Sequence, residues 1–122
     1  LAEVARVCSD DFSLYSGNDD IIVPVLSLGG VGVISVLANV MPLETHNLVM
    51  SYLEGDVIKS KDLQLSMNGL VSSLFLETNP IPVKAAMNLM DFKVGGVRQP
   101  LWEISSKPLE VLKVEMKKLN LI

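Results

Sequence analysis

GGVGVISVLANVMP, residues 29–42, sets three glycines against an apolar run and ends in a proline. A phosphate-cradling loop needs its glycines after a strand and at the opening of a helix, so that backbone N–H groups and the helix N-terminus converge on the anion. Here the order is reversed. Gly29, Gly30 and Gly32 follow a helix-like stretch and precede Val33-Ile34-Ser35-Val36, which reads as a buried strand. The glycines are therefore expected to end a helix and start a strand, and a nucleotide site is not expected. The far end of that strand, Leu37-Ala38-Asn39-Val40, should deliver the chain to a site of another kind.

Ahead of this stretch, Phe12 to Ser16 alternates as a strand does, and "SGNDD" breaks it with Gly17 followed by Asn18 and Asp19, both good N-caps. Asp20 to Leu28 is nearly continuous apolar sequence. Its Pro24 implies either a kink or a helix that starts only near the proline. Leu1 to Cys8 has helical composition without a capping signal before it, so it is expected to be the end of a helix that begins upstream. On the other side, Pro42 suits a helical first turn, and Leu43 to Glu54 reads as a helix closed by Gly55. The order is α-β-α-β-α. Strands alternating with helices through short loops are parallel βα units, whose active face lies at the C-terminal strand ends. "SGND" and "LANV" both fall on that face.

From Asp56 the pattern changes. Leu63, Met67, Leu70, Val71 and Leu74 recur at helical spacing, with Asp56 as N-cap and Asn79-Pro80 as the stop. A second helix opens at Pro82 and carries Val83, Ala86, Met87 and Met90, with Gly95-Gly96 ending the region. A last one begins around Ser106-Lys107-Pro108 and aligns Leu109, Leu112, Met116 and Leu119. The methionines at these spacings read as core filler. The division is thus residues 1–55, βα units, and residues 56–122, a helical region.

Two parallel strands leave both sheet faces to be covered and both edges unpaired. A closed βα barrel takes about 250 residues and eight strands. The 122 residues are expected to supply its last two units and an appended helical region, as a fragment or half of something larger.

Composition narrows the function. With 49% hydrophobic residues and a mean hydropathy of +0.42, a packed domain is expected rather than disorder. A net charge of −4 and no basic cluster beyond Lys117-Lys118 argue against nucleic acid or an anionic membrane. No apolar run reaches the roughly 18 residues of a membrane span, no signal peptide is evident, and a soluble, cytoplasmic protein is expected. The one cysteine, Cys8, excludes an internal disulfide, and no metal-ligand spacing occurs.

Side chains with chemistry are sparse. His46, the single histidine, lies inside a helix without a second ligand. Ser16, Ser35, Ser72 and Ser73 lack a nucleophile-elbow setting or a base. Asp19-Asp20 could form an acid/base dyad, but at a helix start they read as a cap and a dipole partner. An amine nucleophile needs a lysine desolvated in an apolar pocket. Only Lys84, within "NPIPVK", has apolar neighbours, and it sits in the first turns of a helix.

"LYSGNDD", "LGGVGVISVLANVMP", "NPIPVKAAMNLM" and "VRQPL" together resemble the C-terminal half of the dihydrodipicolinate synthase (4-hydroxy-tetrahydrodipicolinate synthase) family, Schiff-base lyases related to N-acetylneuraminate lyase. The resemblance extends over essentially the whole chain, and "NPIPVK" is its most synthase-like feature. It implies the C-terminal part of an α/β (β/α)8 TIM barrel, its last two βα units, followed by a helical region, usually in a homotetramer. The implied reaction condenses pyruvate with aspartate-4-semialdehyde toward diaminopimelate and lysine. Pyruvate forms an imine with a strand lysine, becomes an enamine and attacks the aldehyde, without metal or organic cofactor. Ile34 then matches the strand-eight residue whose backbone lies beside pyruvate, and Gly17 the strand-seven loop glycine lining the same pocket. Asn39 and Val40 are candidates for the pocket rim. The family's lysine, its proton-relay tyrosines and threonine, and its carboxylate-binding arginine belong to earlier strands and have no counterpart here. The resemblance thus assigns this chain no catalytic residue and makes the missing N-terminal half of the barrel its partner. Two other readings are open: a relative acting on another 2-keto acid, such as a sialic-acid lyase, or a non-catalytic half-barrel built for assembly.

Overall fold

The computed structural model describes residues 1–8 and 11–122. Its first part alternates helix and strand: α1 (Ala2–Val7), β1 (Tyr15–Ser16), a 3₁₀ turn (Asp19–Ile21), α2 (Ile22–Ser27), β2 (Gly32–Val33), a second 3₁₀ turn (Leu37–Asn39) and α3 (Pro42–Leu53). Three helices follow, α4 (Val57–Leu74), α5 (Ile81–Leu89) and α6 (Ser106–Lys118). Contacts divide the chain into two compact units, Leu1–Ser66 and Met67–Ile122, with the division inside α4.

β1 and β2 pair in parallel, Tyr15 opposite Gly32 and Ser16 opposite Val33. The bonds from Val31 N to Leu14 O and from Ile34 N to Ser16 O, both 2.8 Å, extend the pairing at each end. Both strands are shorter than the sequence predicts. Phe12 stands 74% exposed ahead of β1. The expected buried strand Val33–Val36 stops after Val33, and Ile34 is 73% exposed. Leu37–Val40, expected as the far end of the strand, instead begins with the second 3₁₀ turn. β2 pairs only with the short β1, and beyond it the Asp19 carboxylate accepts from Val36 N and Leu37 N, each at 3.0 Å, which turns the chain into the second 3₁₀ turn.

The glycine reading holds. α2 closes with Gly29 at φ +90°, and Gly29 N and Gly30 N return to Leu26 O and Val25 O at 3.1 and 2.9 Å, a Schellman closure that leads into β2. α3 closes in the same way at Gly55, φ +95°, with Pro42 in its first turn. Of the two readings of Asp20–Leu28, the structure takes the late start. A 3₁₀ turn precedes α2, which begins at Ile22 and so holds Pro24 in its first turn, where no helical N–H is required. Neither Asn18 nor Asp19 caps that segment with its side chain. Asp19 serves the later turn.

In the first unit Ile22, Val25, Leu26, Leu37, Val40, Met41 and Leu48 are buried. Ser60 of α4 donates to Leu48 O at 2.8 Å, and Asp56 caps α4 by accepting from Lys59 N at 3.1 Å. In the second unit Met67, Leu70, Val71, Leu74, Val83, Ala86, Leu112 and Met116 form the core, so Met67 and Met116 are packing residues as expected. α5 carries Pro82 in its first turn. It ends at Leu89, where Asp91 takes the left-handed closing position, φ +65°, and returns its N–H to Asn88 O at 3.0 Å. No described helix is long and apolar enough to cross a membrane.

Candidate functional site

The C-terminal ends of the paired strands bring Ser16–Asp19 against Ile34–Leu37, entirely within the first unit. Ile34 N ties the end of β2 to Ser16 O. Ser16 Oγ donates to Asn18 O at 2.7 Å and accepts from Asn18 N at 3.3 Å, which folds the loop after β1 into a tight Ser turn. Asp19 closes the other end. One carboxylate oxygen accepts from Ser35 Oγ at 2.5 Å and the other from Val36 N and Leu37 N. Ser35 Oγ in turn accepts from Ala38 N at 2.8 Å. Behind the loop Gln64 of α4 donates to Asp19 O at 2.8 Å and accepts from Val23 N at 3.3 Å.

Gly17 lies exposed between these anchors. It has no left-handed φ, and a methyl group in place of its hydrogen would meet nothing within 4 Å. The turn itself therefore does not require glycine. The Ile34 side chain is exposed beside it. Of the two rim candidates, Asn39 is exposed and donates from Nδ2 to Val36 O at 2.9 Å, whereas Val40 is 3% exposed and belongs to the core. The loop and strand candidates are thus brought to one strand end, while Val40 turns its side chain inward.

Asp19-Asp20 is not a dyad: Asp19 is 1% exposed with its oxygens committed, and Asp20 is exposed. His46 lies exposed on α3. Lys84 is half-buried on α5, at the edge of a cavity of about 290 Å³ in the second unit, and donates to Gly96 O, with Asn88 Nδ2 donating to Gly95 O at 3.0 Å. Among the described residues no group of three or more His, Cys, Asp or Glu could hold a metal ion. On exposed α1, Arg6 holds the Glu3 carboxyl below its ordinary range and is itself raised by it, a surface pair outside the site.

The coupling of Asp19 to Ser35 and the reach of Gln64 were not visible in the sequence. The aspartate sits beside a good cap position, and nothing in the spacing of sixteen residues to Ser35 marks it as a partner.

With the two strand ends placed, the comparison with known proteins is direct. The sequence profile of the dihydrodipicolinate synthetase family matches residues 1–119. The chain belongs to this family. It is 53% identical over all of its 122 residues to the 4-hydroxy-tetrahydrodipicolinate synthase of Thermoanaerobacter sp. (strain X514). The corresponding synthase of Clostridium perfringens (strain SM101 / Type A) is 54% identical over the same length. A crystal structure of dihydrodipicolinate synthase superposes on all of this chain with a TM-score of 0.95 at 41% identity, covering 43% of that chain. The chain spans 41% of the Thermoanaerobacter relative and 42% of the Clostridium one.

Proposed function

We propose that these residues are the C-terminal part of a Schiff-base lyase that condenses pyruvate with L-aspartate-4-semialdehyde to 4-hydroxy-tetrahydrodipicolinate, a step toward diaminopimelate and lysine. Residues 1–55 supply the last two βα units of a (β/α)8 barrel, and residues 56–122 the helical region that follows them. The observation that carries this reading is the junction of Gly17 and Ile34 at the C-terminal ends of a parallel strand pair, where barrel enzymes build their sites, in a chain that matches the family over residues 1–119.

The chemistry divides between this chain and the rest of the enzyme. A lysine amine from an earlier strand adds to the pyruvate carbonyl and expels water to give an imine. Loss of a methyl proton then gives an enamine, whose carbon attacks the aldehyde; the aldehyde oxygen takes up a proton, and the substrate's own amine closes onto the imine carbon and displaces the lysine. The protonated imine is the electron sink, so the step needs neither a metal nor an organic cofactor. This chain contributes pocket wall: the backbone at Ile34 and the space over Gly17, with Asn39 at the rim. The partner it requires is the N-terminal half of the barrel, and the complete enzyme works in the cytoplasm as a homotetramer. Alone, the chain is inactive.

Steady-state assay of the complete protein with pyruvate and a panel of aldehydes tests the substrate assignment. Turnover with aspartate-4-semialdehyde, and none with N-acetylmannosamine, is the expected result; preference for the amino sugar would transfer the reading to the sialic-acid lyases.

A further inference from the structure

A carboxylate buried to 1% is costly unless its oxygens are fully bonded, and Asp19 makes no ion pair among the described residues. Its charge is held by dipoles alone: one hydroxyl and two amides from the segment following β2. Capping of the 3₁₀ turn would be met by one oxygen of a serine or asparagine. Asp19 uses both oxygens, and its carbonyl is fixed from behind by Gln64.

The consequence is a closed ring. Ile34 N to Ser16 O binds the two strand ends at one point, and Asp19 to Ser35, Val36 and Leu37 binds them at another. Gly17 and the Ile34–Ser35 peptide lie between the two ties. Neither loop can shift relative to the other without breaking a buried charge-assisted bond.

We propose that Asp19 is the positioning residue of the pyruvate subsite: through Ser35 and the amides of Val36 and Leu37 it sets the distance between the Gly17 loop and the Ile34 backbone. The proposal rests on the reading of these two positions as pocket wall. Asp19 touches no reacting atom. Loosening its hold lets the walls separate, which weakens the fit to the small keto acid, whereas the aldehyde, held by residues of other strands, is bound as before.

The test uses Asp19→Asn and Ser35→Ala in the complete protein. Asparagine keeps the shape and one acceptor oxygen, and the alanine removes the hydroxyl tie to Asp19 together with the acceptor for Ala38 N. The expected result is a rise in KM for pyruvate of about tenfold for Asp19→Asn, the signature of binding lost equally from the ground and transition states, and a smaller rise for Ser35→Ala. KM for the aldehyde and kcat should stay near those of the unsubstituted protein. A merely structural role would instead lower kcat with the folded fraction and spare the pyruvate KM. Should Asp19→Asn fail to fold, Ser35→Ala alone decides. Folded variants with unchanged pyruvate KM overturn the proposal while leaving the pyruvate reading intact. An unsubstituted protein that does not consume pyruvate overturns both.

Discussion

Substitution of Gly17 by alanine separates a glycine kept for the backbone from one kept for a ligand. At most loop glycines a methyl group either strains a left-handed φ or strikes a neighbour. At Gly17 it does neither, since φ is not left-handed and nothing lies within 4 Å of the added carbon. Folding should therefore be unharmed, and the reduced freedom of the unfolded chain should stabilise the variant by about 0.4–1 kcal/mol. Binding should move the other way. A methyl forced into an occupied, well-packed site costs about 1–3 kcal/mol, so a pyruvate KM raised about tenfold, equivalent to about 1.4 kcal/mol, lies within the range expected. Thermal unfolding and steady-state kinetics on the complete protein measure the two effects separately. Unchanged KM in a variant of unchanged stability would remove Gly17 from the pocket wall. A strongly destabilised variant would show that the space around Gly17 is filled and refute the reasoning at its start.

Gly30→Ala should behave oppositely. Its added carbon would lie 2.5 Å from Val25 Cγ1 and 2.7 Å from Val25 O, the carbonyl that accepts the Gly30 N–H. Overpacking against a buried backbone together with a weakened hydrogen bond should cost about 2–3 kcal/mol, read as a lower denaturant midpoint. Removal of Arg6 by Arg6→Ala should raise the Glu3 titration midpoint, followed by NMR, toward the ordinary carboxylate value. The sign follows from the lowered folded value: whatever the pair contributes is present above the ordinary range and lost as pH falls through the folded one. An unmoved midpoint would dissociate Glu3 from Arg6.

Glycine and proline signals in this sequence are legible because each residue sets its own backbone, whereas the cap signal at Asn18 and Asp19 is met by neither side chain. Gly29 and Gly55 close helices, Pro42 and Pro82 open them, and Asp56 caps α4. Where the outcome depends on a distant partner, the sequence misleads. Val33–Val40 reads as a strand and its far end, yet the chain turns into a 3₁₀ turn at Leu37, where Asp19 takes the amides of Val36 and Leu37. Asp91 closes α5 in the left-handed conformation although it carries no stop signal of the strength of glycine. The βα order places Gly17, within "SGND", and "LANV" on one face, while Ile34 enters the site only through the family resemblance. The device that fixes them was not legible, since Gln64 reaches Asp19 across 45 residues of chain.

On the proposed reading this chain walls a pyruvate site whose nucleophile lies outside its 122 residues. Borohydride trapping with pyruvate, followed by intact mass and peptide mapping, tests it on the complete protein and on the isolated chain in parallel. The expected result is a reduced pyruvate adduct on a lysine of the complete protein that precedes these residues, and no adduct on the isolated chain. An adduct mapped to Lys84, or to any other lysine within the chain, would contradict it.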